Sequence, residues 1–294
     1  MRVLVTGWFS LDDGEITAGD ALACETVRGW LTAAGMPHDV AAIDGFRLDG
    51  DVGAARVDPA SYSHVLFVCG PVASPKVARL LKPFDHCRRI AVGVSVTTGD
   101  GGCFDDVLPR DGGTAARPDL SLGAPAAATA VVGVTLSHPQ PEYGDRGRHE
   151  LANGLVRDLM RQTPAAPLEL DTRLDAREAL ACRTAERFTS LLARVDAVVT
   201  TRLHGLVLAL RAGVPAVALD PIAGGAKLAA QAAALGWPAV RTVGEADVAG
   251  LAELLDWCLT SRDARERAAA CARAGRGALE QTHEQLLELL GGPA

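Results

Sequence analysis

Residues 196–236 read DAVVTTRLHGLVLALRAGVPAVALDPIAGGAKLAAQAAALG, and in them a short apolar run passes straight into Thr-Arg-Leu-His. DAVVT and PAVALD are brief apolar runs bounded by turn signals, as expected of strands buried on both faces of a parallel sheet. Between them Leu203, Leu206, Val207 and Leu210 recur on one face of a helix, with Thr200 or Thr201 as the expected N-cap and Gly213 as its stop. Strand, helix and strand in this order put the turn after DAVVT at the carboxyl edge of the sheet, where open α/β folds hold ligands.

Arg202 and His204 fall at that edge, in the first helical turn, flanked by Thr201 and Leu203. The unpaired N–H groups and dipole of a helix N-terminus favour an anion, and an arginine adds a planar fork suited to phosphate or carboxylate. One strand later Gly224 and Gly225 allow the backbone to approach a ligand closely, and Lys227 opens the next helix as a second cation. The pattern predicts a binding site for a small phosphorylated or carboxylated molecule.

Outward from this segment the same alternation repeats. In the first half RVLVTG, HDVAAID, SHVLFVCG and RRIAVGVSV read as strands, and GDALACETVRGWLTAAG as a helix whose apolar face is Ala23, Val27, Trp30, Leu31 and Ala34. Residues 111–130, rich in Gly, Pro and Ala, lose all periodicity and read as a linker. AVVGVTL then restarts the pattern, with helices expected over RHELANGLVRDLMRQ and ALACRTAERFTSLLARV and through the tail from 246 to 290. The expected architecture is α/β: two Rossmann-like domains facing a cleft, residues 1–125 on the acceptor side and 126–294 on the donor side, the latter carrying the helical tail.

Composition narrows the classes. With 294 residues and 48% hydrophobic content the chain can bury a sizeable core, and its net charge of −7 comes without any run of Lys or Arg. A nucleic-acid or anionic-membrane footprint is therefore missing. Seven scattered cysteines form no C-x-x-C pair or zinc-spaced cluster, which predicts buried thiols in a reducing compartment. MRVLVTG is too short an apolar run for a signal peptide, and Arg202, His204 and Arg211 interrupt the longest apolar window. The expectation is a cytoplasmic chain with no membrane span. No G-x-x-x-x-G-K-[ST], G-x-G-x-x-G or H-E-x-x-H occurs, which removes P-loop, dehydrogenase and zinc-protease readings. Nothing requires a metal.

The block from Asp196 through the Arg-Leu-His of residues 202–204, Gly213, Pro215 and Lys227 resembles the polysaccharide pyruvyl transferase family. GWFSLDDGEITAGDAL is similar to that family's aromatic-bearing loop, with Gly19 and Asp20 at the start of the first helix. The resemblance implies paired glycosyltransferase-B-like domains and transfer of the pyruvyl group of phosphoenolpyruvate to two hydroxyls of a sugar or glycan acceptor as a ketal. Phosphoenolpyruvate is then a substrate and no cofactor is needed. It implies donor binding by Arg202 and Lys227, and His204 as the acid that protonates the methylene carbon. The family often carries Ser-Leu-Arg after the first strand of the second domain. This chain has Ser137 and His138 there, leaving His138, or Arg146 further on, to substitute. Asp12, Asp13, Glu15 and Asp20 are the acceptor-side candidates. Two other readings stay open: a nucleotide-sugar glycosyltransferase on the same architecture, and a non-catalytic binder of glycan or phosphorylated ligand. Oligomeric state leaves no readable signal.

Overall fold

The computed structural model describes residues 1–9, 16–41, 57–97, 102–113, 116–126 and 128–291. The chain divides into two compact units, Met1–Ala127 and Ala128–Ala294.

In the first unit β1 (Val3–Gly7), β2 (His38–Val40), β3 (His64–Val68), β4 (Arg88–Ser95) and β5 (Asp106–Asp111) form one parallel sheet in the order β2-β1-β3-β4-β5. Every residue of β1 is buried, as a central strand covered on both faces requires. Helix α1 (Ala18–Ala33) follows β1, and α2 (Pro75–Leu81) follows β3. Helix α1 starts at a capping box: the Thr17 side chain accepts from Asp20 N, and the Asp20 carboxylate accepts from Thr17 N. It buries Ala23, Cys24, Thr26, Val27 and Leu31, and Gly35 (φ 65°) follows its end as expected. Trp30, placed on the same face by its spacing, is instead 56% exposed, and Thr32 to Ala34 are exposed too. The stripe runs on in sequence past the surface available to cover it. Strand β5, inside and before the expected linker, was not foreseen: Pro109 breaks its pattern, and it sits at the sheet edge, where a residue without an N–H is tolerated.

The second unit repeats the plan. Strands β6 (Val131–Thr135), β7 (Ala166–Glu169), β8 (Ala197–Thr200), β9 (Ala216–Asp220) and β10 (Val240–Thr242) lie parallel in the order β10-β9-β8-β6-β7. Between and after them run α3 (His149–Gln162), α4 (Ala185–Leu192), α5 (Leu203–Arg211), α6 (Lys227–Leu235), α7 (Val248–Thr260) and α8 (Arg262–Leu289). Counted within its own unit, each sheet has the order 2-1-3-4-5, so the chain reverses direction across the sheet between β1 and β3, and again between β6 and β8.

The core of this unit gathers Val132, Val198, Val199, Leu206, Leu210, Phe188 and Trp237. Helix α4 is shorter than the pattern predicted, because Thr184 caps it by accepting from Arg187 N and so starts it after ALACR. Strand β10, three residues long, was not foreseen either. The tail helices pack on this unit: α8 buries Ala264, Ala268 and Cys271, and the Cys271 thiol donates to the Leu235 carbonyl at 3.0 Å. Cys24, Cys69, Cys87, Cys258 and Cys271 are buried free thiols, whereas Cys103 and Cys182 are only half-buried. Among the described residues no helix is long and apolar enough to cross a membrane.

Candidate functional site

The reversal point between β6 and β8 sets the site. Two buried hydroxyl clusters tie the ends of these strands together. Thr135 Oγ1 donates to Thr200 Oγ1 at 2.5 Å, and Thr200 Oγ1 also accepts from Arg202 N at 2.9 Å. Beside them a closed ring forms: Ser137 N donates to Thr201 Oγ1 (2.8 Å), Thr201 Oγ1 to Asn153 Oδ1 (2.9 Å), and Asn153 Nδ2 back to the Ser137 carbonyl (3.0 Å). Each bond stabilises by only ~1 kcal/mol net, yet losing one partner leaves a buried polar atom at a cost of ~1–3 kcal/mol. The backbone that carries Arg202 is thereby held on three sides. Gly205 is what lets α5 come this close: a Cβ there would lie 2.1 Å from Thr135 Oγ1 and 2.2 Å from Thr200 Oγ1.

Helix α5 begins one residue later than the threonines suggested. Its N-cap is Arg202, in extended conformation (φ −122°, ψ 132°), with no side-chain cap, because both threonine hydroxyls are spent in the clusters. Its buried face is Gly205, Leu206, Ala209 and Leu210, with Leu203 and Val207 only half-buried, and Gly213 (φ 75°) follows its end. The amides of Leu203, His204 and Gly205 have no hydrogen-bond partner among the described residues. The first two of these residues border a cavity of about 200 Å³ that Thr201, Arg202, Leu203, His204 and Lys227 line from the expected set. Ser137, Gln140 and Asp220 complete its polar wall.

The two cations are each engaged. Arg202 Nη1 contacts Asp171 Oδ1 at 2.6 Å, and the same carboxylate takes Arg173 Nε on Oδ2 at 2.9 Å, with His138 Nε2 at 3.9 Å. Burial would raise the Asp171 pKa, but hydrogen bonds from the Arg173 backbone and side chain and the charges of Arg202 and Arg173 hold it below the ordinary carboxylate value. Lys227 Nζ stands 5.6 Å from the centre of the Tyr143 ring, at cation–π distance.

Gly224 (φ 77°), Gly225 (φ 78°), Arg146 and His138 lie outside the cavity lining. The two glycines form a turn whose carbonyls engage Arg146: its Nε reaches Ala223 O at 3.3 Å and its Nη2 reaches Gly225 O at 3.1 Å. The start of α6 already holds a carboxylate, since Asp220, 1% exposed, accepts from Ile222 N, Ala226 N and Ala229 N at 2.8–3.0 Å. Of the acceptor-side residues, Asp20 is engaged in the α1 capping box and borders a separate cavity of the first unit, while Asp12, Asp13 and Glu15 lie outside the described residues.

Sequence reasoning passed over Asp171, Arg173, Asn153, Gly205 and His149. Asp171 closes PLELD just after β7, so its place at the same sheet edge was available as a signal, as was the glycine directly after Arg-Leu-His. His149 opens HELAN, which lacks the second histidine of a zinc motif and so carries no signal of its own. At 5% exposure its Nε2 has no hydrogen-bond partner among the described residues, and desolvation, then the charge of Lys227, lowers its pKa.

With this geometry in hand, likeness to known proteins is narrow. Residues 144–221 match the family model described as polysaccharide pyruvyl transferase. No curated protein matches the chain. Similar solved structures include the glycosyltransferase SnogD from Streptomyces nogalater, at 16% identity over 98% of this chain and 99% of that one, TM-score 0.36. They also include the calicheamicin glycosyltransferase CalG4, at 15% identity over 99% and 98%, TM-score 0.35. A third is the UDP-GlcNAc 2-epimerase of Methanocaldococcus jannaschii, at 8% identity over 95% and 100%, TM-score 0.34. Likeness at that level has no bearing on the reaction.

Proposed function

We propose that the chain is a pyruvyltransferase that binds phosphoenolpyruvate in the cavity at α5 and moves its pyruvyl group onto two hydroxyls of a sugar or glycan, working in the cytoplasm without a cofactor. The observation that carries this reading is one arrangement. The α5 amides of Leu203 and His204, which have no partner among the described residues, and the side chains of Arg202, Lys227 and His204 line a single small cavity, and all but Lys227 fall within the segment matching the family model. Phosphoenolpyruvate brings a phosphate for the amides and Lys227 and a carboxylate for the Arg202 fork. A cavity of about 200 Å³ suits a phosphorylated three-carbon acid better than a nucleotide sugar.

In the reaction His204 gives a proton to the methylene carbon, and an acceptor hydroxyl attacks C2 as its own proton leaves. The bond from C2 to the bridging phosphate oxygen then breaks, a second hydroxyl closes on C2, and phosphate departs with the second hydroxyl's proton. One hydroxyl proton finally restores His204, so the net change is methylene to methyl and enol phosphate to ketal plus phosphate. Lys227, Arg202 and the α5 amides stabilise the leaving phosphate, as fixed donors do where charge develops.

The test is a thermal-shift and calorimetric titration against phosphoenolpyruvate, inorganic phosphate, UDP and GDP. Binding of phosphoenolpyruvate that Arg202→Ala removes, with no response to UDP or GDP, is the expected result. A response to a nucleoside diphosphate alone would move the protein to the glycosyltransferase reading. Phosphoenolpyruvate binding without turnover on any acceptor would leave the non-catalytic reading.

A further inference from the structure

The first unit has the same strand order as the second, and its own reversal point, between β1 and β3, opens on a cavity of about 580 Å³ lined by Trp8, Asp20, Gly70, Pro71, Ser74 and Lys76. The backbone there is bent out of the ordinary. Cys69, directly after β3, has φ 61° and is the one non-glycine residue with positive φ among the described residues, and Gly70 continues at φ 71°. Such strain persists only where the surroundings enforce it, and it gathers at ligand sites. The Cys69 side chain gives no chemical reason for it: burial pushes the thiol up to about 12, with the charges of Asp20 and Asp119 adding to the rise.

What the bend does is seat an indole. A Cβ on residue 70 would stand 2.3 Å from Trp8 Cδ1, so the ring lies directly against the glycine backbone. Its Nε1 donates to the Pro71 carbonyl at 3.4 Å, and Phe67 meets it edge-on at 6.4 Å between centres. The ring is fixed in position yet half-exposed to the cavity, with Lys76 Nζ 5.8 Å from its centre. Across the same cavity Asp20 uses Oδ2 to accept from Thr17 N (2.9 Å) and Thr17 Oγ1 (2.7 Å), and its Oδ1 has no partner among the described residues.

We infer that this cavity is a sugar subsite, holding a neutral hexopyranose with its C–H face on Trp8 and a ring hydroxyl donating to Asp20 Oδ1. A phosphorylated ligand is disfavoured, because at the start of the helix after β1 it would meet the like charge of the Asp20 carboxylate, which also borders the cavity. A held aromatic face beside an acceptor-only carboxylate matches a polyol that has apolar faces and hydroxyl donors. The inference deepens the proposed function by naming the acceptor's place, and rests on that reading for its catalytic meaning alone.

Ligand-observed NMR with the methyl glycosides of glucose, galactose, mannose and N-acetylglucosamine tests it. At least one glycoside should bind wild type. Trp8→Ala should weaken that binding roughly tenfold or more, and Trp8→Phe should retain most of it because a flat ring remains. Trp30→Phe, on exposed surface, should change nothing. All variants should bind phosphoenolpyruvate as wild type does, and thermal melts followed by circular dichroism that match wild type show that the first unit still folds. Silence of all four glycosides toward wild type, or undiminished binding to Trp8→Ala, would overturn the inference. Glycoside binding without phosphoenolpyruvate binding would instead sink the donor reading and leave this one standing.

Discussion

A single methyl group at residue 205 should separate the fold's demand for close approach from ordinary helix preference. In Gly205→Ala the new Cβ would sit 2.1 Å from Thr135 Oγ1, 2.2 Å from Thr200 Oγ1 and 2.9 Å from Thr200 Cβ. Neither threonine can turn away freely, since both are wholly buried and Thr200 is bonded to Arg202 and Thr135. Either α5 retreats by about 1 Å or the hydroxyl pair breaks. Overpacking costs ~1–3 kcal/mol, and a broken buried pair adds ~1 kcal/mol. Alanine's better helix propensity returns up to ~1 kcal/mol. The net loss is ~1–3 kcal/mol, or ~2–12 °C in the Tm of the second unit at the usual scaling for its size.

Gly154→Ala, in the middle of α3 with nothing within 4 Å of its Cβ, is the matched control and should raise Tm slightly. Differential scanning calorimetry of wild type and both variants reads the difference directly. Because the clash lies one turn from Arg202, Gly205→Ala should also weaken phosphoenolpyruvate binding in samples that remain folded. A Tm for Gly205→Ala equal to or above that of wild type would refute the argument that this glycine exists for close approach.

Two further perturbations address the charges. Asp171→Asn removes the carboxylate that engages Arg202 at 2.6 Å, so phosphate and phosphoenolpyruvate should bind ~2–5-fold tighter, within the ~0–1 kcal/mol range of a partly exposed pair; weaker binding by calorimetry would show that Asp171 orients the arginine rather than competes for it. His149 has a pKa lowered by burial and by Lys227, with Glu142, Asp220 and Glu150 acting in the opposite sense. Its folded value thus lies below its unfolded one of ~6.5, so the stability it contributes is present above that pH and is lost as pH falls toward the folded value. Tm should therefore decline from pH 7 to pH 5, and His149→Gln should flatten that part of the slope; an unchanged slope would exclude His149 as its source.

Most of the fold could be read from runs that are buried whole. VLVTG, AVVT and AVALD have no polar face to confuse the pattern, and all are central strands. What escaped was peripheral or shared. Strand β10 is three residues long and β5 holds a proline, so neither has enough period to show. Thr200 and Thr201 look like caps in one dimension, but their hydroxyls find Thr135, Ser137 and Asn153, partners 65, 64 and 48 residues away that are reachable only once the sheet is assembled. The Asp171–Arg202 contact is of the same kind. Local pattern shows which residues stand at the edge of a sheet; which of them spend their polar atoms on each other is decided by the strand order.

That distinction separates the two helix starts that border the cavity. Helices α5 and α6 both start at the carboxyl edge of the same sheet, and their sequences, Arg-Leu-His-Gly and Gly-Gly-Ala-Lys, look equally suited to an anion. At α6 the last residue of β9 already supplies a carboxylate: Asp220 accepts from Ala226 N and Ala229 N, so among the first-turn amides only those of Lys227 and Leu228 have no partner among the described residues. The last residue of β8 does the opposite for α5. Thr200 binds the N-cap backbone at Arg202 N and leaves the amides of residues 203–205 open. Lys227 therefore stands at a helix start that already holds a carboxylate, while Arg202 and His204 stand beside amides that nothing in the described structure satisfies. On the proposed reading the phosphate of the donor takes the α5 amides and Lys227 while its carboxylate faces Arg202, an order that a phosphate ester bearing a carboxylate can fulfil.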